Sequence, residues 1–127
     1  MTDRRVLLDS VVLIDMLNGH AEARRWLSTV QFVGCVSAIT RAEVLAGIPD
    51  PVTAAHVRSL LDGYGWLEIN PEVADLAAEL RRRHRWKLPD ALQAAVALHH
   101  GAWLATRNTR DFPQDIHPFV HVPYSWP

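Results

Sequence analysis

Apolar positions along this chain follow two patterns, short continuous runs and longer stretches in which they recur at helical spacing. The short runs predict strands, because aliphatic and β-branched residues in runs of about four to eight fit a buried sheet. These runs are RRVLLD (4–9), QFVGCVS (31–37), GWLEI (65–69), AWLAT (102–106) and FVHV (119–122), the last one at a sheet edge.

The stretches between the strands predict helices, because their apolar residues repeat about every three or four positions and begin or end at Ser, Asn, Pro or Gly. Thr40 and Glu43 have the spacing of a capping box, and Asn70 before Pro71 suits a helix start. We expect helices over SVVLIDML (10–17), AEARRWLSTV (21–30), TRAEVLAGI (40–48), VTAAHVRSLLDGY (52–64), EVADLAAELRRRHRW (72–86) and LPDALQAAVAL (88–98).

Strands separated by helices predict a three-layer α/β/α sandwich with a mostly parallel four- to five-stranded sheet and right-handed crossovers. A length of 127 residues suits a single domain over 1–127. Sheets of this kind bind ligands beyond the carboxyl ends of their strands. That edge of the sheet is therefore where we look for chemistry.

Four carboxylates are expected near this edge. Asp9 follows the first strand, Glu43 opens the helix after the second, and Asp90 and Asp111 flank the fourth. Each also has a structural alternative, namely a helix cap at Asp9, a capping box with Thr40 at Glu43, a dipole contact at Asp90 and a turn at Asp111. Converging carboxylates repel one another, so together they predict a bound cation, and oxygen ligands favour Mg²⁺ or Mn²⁺.

Composition narrows the classes of function. Hydrophobic residues make up 49% of the chain and the formal net charge is -1, so nucleic acid would have to bind a local basic patch. The single cysteine, Cys35, forms no internal disulfide and suits a buried strand. The apolar runs are too short to span a membrane and the first residues lack a secretory signal pattern. We therefore expect a cytoplasmic protein with no membrane partner.

Four motifs, LLDSVVLID, SAITRAEVLAG, LPDALQAAVAL and TRNTRDF, occur in this order over most of the chain. Together they resemble the PIN-domain nucleases, in particular the VapC-type toxins of toxin-antitoxin pairs. The resemblance implies a metal-dependent ribonuclease in which a metal ion activates water to hydrolyse RNA phosphodiester bonds. By motif, the acids of the family site correspond to Asp9, Glu43, Asp90 and Asp111, and Asn108 corresponds to the asparagine that supports them.

Other residues near these motifs carry open alternatives. Val11 stands where the family commonly has Ser or Asn, so a polar contact near Asp9 is missing. Ser10 contacts either a metal-bound water or the phosphate, or it caps the helix. Arg107 and Arg110 contact the phosphate or pair with a neighbouring acid. Asp15 is expected on a polar face of the first helix.

The resemblance also implies partners, namely an RNA substrate, a cognate antitoxin and a second copy in a homodimer. The helices VVLIDML and AEARRWL are the expected surfaces for them. The cationic run RRRHRWK (81–87) either holds RNA or an acidic partner, or it is a solvated helix end. An alternative function is a catalytically silent PIN-like binding module, which Val11 favours. A response-regulator-like switch is a poor fit, because it needs a lysine near the last strands and the only lysine is Lys87.

Overall fold

The computed structural model describes residues 5–29 and 31–125. It contains the predicted sequence of strands and helices, with the ends of several elements moved by a few residues. The strands are β1 (Arg5–Leu8), β2 (Val33–Val36), β3 (Gly65–Trp66), β4 (Trp103–Ala105) and β5 (Val120–His121). The helices are α1 (Ser10–Leu17), α2 (Ala21–Leu27), α3 (Ala38–Ala46), α4 (Pro51–Asp62), α5 (Pro71–His84) and α6 (Leu88–His100). Positions 4 and 30, which we assigned to a strand and a helix, lie outside the described residues.

The five strands form one sheet in the order β3-β2-β1-β4-β5, and all neighbouring strands are parallel. β1 lies at the centre, where Leu7 is paired with Cys35 on one side and with Leu104 on the other. The expected strand over 65–69 is shorter than predicted. It pairs with β2 at Gly65 and Trp66, and one further hydrogen bond joins the Leu67 amide to the Val36 carbonyl at 3.0 Å.

Alternate residues of the central strand pack against two helical layers. Leu7 belongs to the core that contains α5 and α6, together with the buried Cys35. Val6 and Leu8 belong to the opposite core, which includes residues of α1, α3 and α4. Both faces of the sheet are therefore covered, and the predicted three-layer α/β/α sandwich is confirmed.

The helix starts correct one prediction. The Ser37 hydroxyl accepts a hydrogen bond from the Thr40 amide at 3.2 Å, and the Thr40 hydroxyl accepts one from the Ser37 amide at 3.4 Å. The capping box of α3 is therefore Ser37 with Thr40, and the predicted box of Thr40 with Glu43 is wrong. The physical reason is that Ser37, directly after β2, has the extended backbone of an N-cap, whereas Thr40 is already helical. Asn70 caps α5 before Pro71, as predicted.

The connection between α5 and α6 is held by side chains from both directions. Arg85 ends α5 with a left-handed backbone at φ 59°, and the Arg81 guanidinium donates a hydrogen bond to the Trp86 carbonyl at 2.6 Å. The Trp86 indole is buried and donates to the Asp111 carbonyl at 3.0 Å. This short linker thus fixes both the start of α6 and the loop after β4. No helix in the described part of the chain is long and apolar enough to cross a membrane.

Candidate active site

A polar pocket of about 420 Å³ opens at the carboxyl edge of the sheet, where β1 and β4 end. Most of the residues singled out from the sequence meet there. The described lining residues are Asp9, Ser10, Val11, Glu43, Asp90, Arg107, Asn108, Thr109 and Arg110. They do not include Asp111, although the loop before it forms one wall.

Asp9 lies at the base of this pocket with 7% of its surface exposed. It is the N-cap of α1, where its Oδ1 atom accepts from the Ser10 amide at 2.9 Å. The same oxygen accepts from the Gln93 side-chain amide at 3.3 Å, and Oδ2 accepts from the Thr106 hydroxyl at 2.8 Å. Burial raises the pKa of Asp9, against the opposing effect of these hydrogen bonds.

Thr106 and Gln93 are site residues that sequence reasoning missed. Both are buried, and both donate to the Asp9 carboxylate. The Thr106 hydroxyl also accepts from the Asn108 amide at 3.0 Å, which ties β4 to the site loop. A sequence signal existed for each, because Gln93 interrupts the apolar run of α6 and Thr106 directly follows a buried strand at the binding edge.

Asp90 is in the first turn of α6, as predicted, and is half-buried. Desolvation raises its pKa to about 6, and the negative charges of Asp9, Asp111 and Glu43 act in the same direction, with Lys87 opposing them. Burial is the main cause of this shift, and the three neighbouring carboxylates add to it.

Ser10 and Glu43 join α1 to α3 across the pocket. The Ser10 hydroxyl donates to Glu43 Oε1 at 2.9 Å. Of the alternatives for Ser10, helix capping is not observed, because Asp9 is the N-cap and Ser10 is the first helical residue. The exposed Glu43 side chain faces the pocket with a single neutral donor on one oxygen.

Asn108 and Asp111 form a closed turn in the loop after β4. The Asn108 side-chain amide donates to Asp111 Oδ2 at 3.0 Å, and the Asp111 backbone amide donates to Asn108 Oδ1 at 3.3 Å. Asn108 therefore orients this carboxylate directly, and Trp86 holds the Asp111 carbonyl from the other side. Asp111 sits in the turn, and its charge acts on Asp90.

Comparison with known proteins gives the family. The PIN domain model matches residues 6–114. This chain belongs to the PIN domain family. It is 32% identical over 127 residues to Ribonuclease VapC10 of Mycobacterium tuberculosis, covering 93% of this chain and 95% of that protein.

Solved structures agree with this assignment of the PIN domain. A chain of a toxin-antitoxin complex from Klebsiella pneumoniae is 33% identical, with a TM-score of 0.87 over 95% of this chain and 99% of that chain. VapBC2 from Rickettsia felis shares the fold at 18% identity, with a TM-score of 0.77 over 97% of this chain and 99% of that chain.

Arg107 in this PIN domain forms an ion pair at the edge of the pocket. Its Nε and Nη2 atoms donate to Asp15 at 2.6 and 3.2 Å, and the Tyr124 hydroxyl donates to the same carboxylate at 2.7 Å. Of the two alternatives for Arg107, pairing with an acid is observed. The prediction that Asp15 lies on a polar helix face is wrong, because residues from the distant C-terminal part of the chain bury and pair it.

The donor set of the pocket suits a hard divalent cation, although it is not a closed cage. Asp9 Oδ2 accepts one hydrogen bond and keeps acceptor capacity, and the mutual repulsion felt by Asp90 is what a cation would relieve. Within 5–29 and 31–125, no group of three or more His, Cys, Asp or Glu side chains is placed to hold a metal ion together. Mg²⁺ usually keeps several waters and takes one or two carboxylates, so the pocket fits that ion.

A second, apolar groove of about 300 Å³ lies on the helical layer formed by α1, α3 and α4. Part of the predicted α1 surface is used by the core, since Val12 and Leu13 are fully buried. Ile14 and Leu17 of α1 are partly buried against the core and also line the groove. Its described lining residues are Ile14, Leu17, Asn18, Val44, Gly47, Ile48, Thr53 and Val57.

Proposed function

We propose that this PIN domain is a cytoplasmic, metal-dependent endoribonuclease and the toxin of a toxin-antitoxin pair. The observation that carries the proposal is the pocket in which Asp9, Glu43 and Asp90 meet, with the charge of Asp111 acting on Asp90. The relatives support it, because one is named a ribonuclease and another belongs to a toxin-antitoxin complex.

Asp9, Glu43, Asp90 and Asp111 are the residues that would hold Mg²⁺ or Mn²⁺. Such an ion, when bound, activates water for attack on phosphorus and offsets the charge that develops on the phosphate. The protein contributes carboxylates held in place by neutral donors, Thr106 on Asp9 and Asn108 on Asp111. These donors fix the ligands without neutralising them, so the negative charge stays available to a cation.

Ser10, Asn108, Arg107 and Arg110 would orient the RNA around the metal site. All of them line the pocket, and the two arginines bring positive charge to a wall that faces the acids. Arg107 contributes as a fixed cation, because Asp15 holds its position and Asp15 is in turn held by the Tyr124 hydroxyl.

The apolar groove on α1, α3 and α4 is the surface proposed for the antitoxin. An amphipathic segment would place its apolar side chains against Ile14, Leu17 and Val57, as in other helix-in-groove complexes. A homodimer within the complex is part of the same proposal. The Leu17→Glu variant should lose a co-expressed antitoxin during purification, and Val52→Glu, on an exposed α4 position outside the groove, should keep it.

Metal-dependent cleavage is tested with purified protein, freed of antitoxin, on total RNA. We expect new RNA ends with Mg²⁺ or Mn²⁺ and none after chelation, and mapping of those ends identifies the substrate. A catalytically silent binding module, favoured by Val11 in the pocket lining, predicts RNA retention without cleavage in either condition. That result would refute the ribonuclease proposal.

A further inference from the structure

The side chain of Gln93 is an amide buried in the middle of a helix that otherwise contributes small apolar residues to the core. Only 1% of its surface is exposed, and its neighbours Ala94, Ala95 and Val96 are fully buried. A buried amide is tolerated when its donors and acceptor are all paired. Every buried side-chain polar atom within the described residues has a hydrogen-bond partner, and that includes this amide.

The partners of Gln93 come from separate parts of the fold. Its Nε2 atom donates to Asp9 Oδ1 at 3.3 Å and to Thr40 Oγ1 at 2.9 Å. Its Oε1 atom accepts from the Ser37 hydroxyl at 2.5 Å. The amide thus bridges the carboxylate that begins α1 and the capping box that begins α3.

The hydrogen bonds around the amide allow one orientation. The Thr40 hydroxyl donates to the Leu8 carbonyl at 2.9 Å, so it must accept from Gln93. The Ser37 hydroxyl accepts from the Thr40 amide and is left to donate to Gln93. A flipped amide would set its oxygen against Asp9 and Thr40 Oγ1, where no hydrogen is available, so the NH₂ group is fixed toward Asp9.

We propose that Gln93 is a positioning residue, whose amide joins the elements that carry Asp9, Glu43 and Asp90 and so sets the arrangement of these carboxylates. Asp90 lies one turn before Gln93 on α6, and Glu43 lies on the helix whose capping box the amide contacts. The inference rests on the proposed metal-dependent function of the pocket. The proposal adds a buried, uncharged residue that donates a hydrogen bond to Asp9 and fixes its position.

The test compares folded variants for Mn²⁺ binding by calorimetry and for cleavage of total RNA. Gln93→Met keeps the length of the side chain and removes its hydrogen bonds. We expect its Mn²⁺ affinity to fall about 10-fold or more, as is typical when a residue that supports a metal ligand is changed, with cleavage reduced in parallel. Val96→Ala is the matched control, because it lies one turn further along α6, is equally buried and weakens packing only.

A metal affinity that falls in Gln93→Met but not in Val96→Ala supports the positioning role. Unchanged Mn²⁺ affinity and cleavage in Gln93→Met, with an active wild type, overturn that role alone. A wild type that shows no metal-dependent cleavage overturns the proposed function instead. If circular dichroism shows Gln93→Met to be unfolded, Ser37→Gly decides. It removes the hydroxyl that fixes the amide and that also caps α3, and glycine is itself an acceptable N-cap, so the loss of the cap costs little. Weaker Mn²⁺ binding in Ser37→Gly supports the inference, and wild-type binding refutes it.

Discussion

Two buried carboxylates on one helix behave in opposite ways. Asp9 caps α1 and accepts from Ser10, Gln93 and Thr106, all neutral donors, and burial raises its pKa. Asp15 lies further along the same helix with 4% of its surface exposed. Burial raises the pKa of Asp15 as well, but the hydrogen bonds and charge of Arg107 and the Tyr124 hydroxyl outweigh it and hold that pKa below its usual value.

The difference lies in the partner, since both side chains are removed from water. Asp15 has its counterion inside the chain, so it serves to fix the start of the site loop to α1. Asp9 has donors that satisfy its geometry and leave its charge uncompensated, in a pocket with other acids. Asp9, which has no cation partner among the described residues, is the carboxylate for which we propose an external cation.

The largest expected effect is on cleavage in Asp9→Asn. Replacing this proposed metal ligand should reduce metal-dependent cleavage by at least about 100-fold, at the upper end of what changes to supporting residues produce. Stability should stay level or rise, because the variant buries no uncompensated charge. Asp75→Asn, at an exposed position on α5, is the control and should cut as the wild type does. Equal cleavage by Asp9→Asn would place Asp9 outside the metal site.

Asp15→Asn should show its main effect in stability. The change leaves Arg107 without its buried counterion, so we expect the free energy of unfolding to fall by roughly 2–3 kcal/mol, somewhat less than for a fully buried pair. Urea unfolding followed by circular dichroism measures this. The free energy of metal binding should change less than the free energy of unfolding. A larger change in metal binding would show that Asp15 acts on the metal site as Asp9 does, against the contrast drawn from the structure.

Tyr124→Phe should have a smaller effect in the same direction. Asp15 keeps its bidentate contact with Arg107 and loses one hydrogen bond, so unfolding should become easier by about 1 kcal/mol. The urea midpoint gives the value. If Tyr124→Phe lowered the free energy of unfolding as much as Asp15→Asn does, the Tyr124 hydroxyl, and not the ion pair with Arg107, would be the main source of this stabilisation.

The smallest effect concerns the pH dependence of stability in the metal-free protein. The pKa of Asp90, raised to about 6, lies above its unfolded value, so its contribution favours the folded state at acid pH and is lost as pH rises from about 4 to about 6. The lowered pKa of Asp15 contributes in the opposite sense, with stability lost as pH falls below about 4. Melting temperatures of Asp90→Asn from pH 4 to 7 should therefore decline less than those of the wild type. Parallel profiles would contradict the raised pKa of Asp90, which burial causes first and the neighbouring acids increase.

Hydrophobic pattern was enough to predict the layers and the parallel sheet, because strands buried on both faces appear as continuous apolar runs. Where local patterns compete, the sequence is less decisive. In the sequence, the pair Ser37 and Thr40 has the same three-residue spacing as the pair Thr40 and Glu43. The end of β2 at Val36 decides between them, because it places the helix start at Ser37. The strand over 65–69 is shortened because β3 is an edge strand with a partner on one side only.

The acids of the site could be located from sequence because each one follows or precedes a predicted element. Asn108 could be assigned by motif as well, but the contacts of Gln93 with Asp9 and of Arg107 with Asp15 could not be predicted, because they join residues distant in sequence. Gln93 is 84 residues from Asp9, and Arg107 is 92 residues from Asp15. No local periodicity encodes such pairs. The buried glutamine in an apolar run was the one visible sign that α6 carries a polar contact inward.

The central position of β1 has a consequence for the order in which contacts form during translation. β1 is the first of these strands to be translated, yet it pairs with β4, and the Thr106 hydroxyl that holds Asp9 is made 97 residues later. Contacts over such separations form late, after long loops have closed. A nascent chain of the first strand and helix therefore has Asp9 but not yet its distant donors, Gln93 and Thr106. The acidic pocket is therefore incomplete until β4 has been translated and paired with β1.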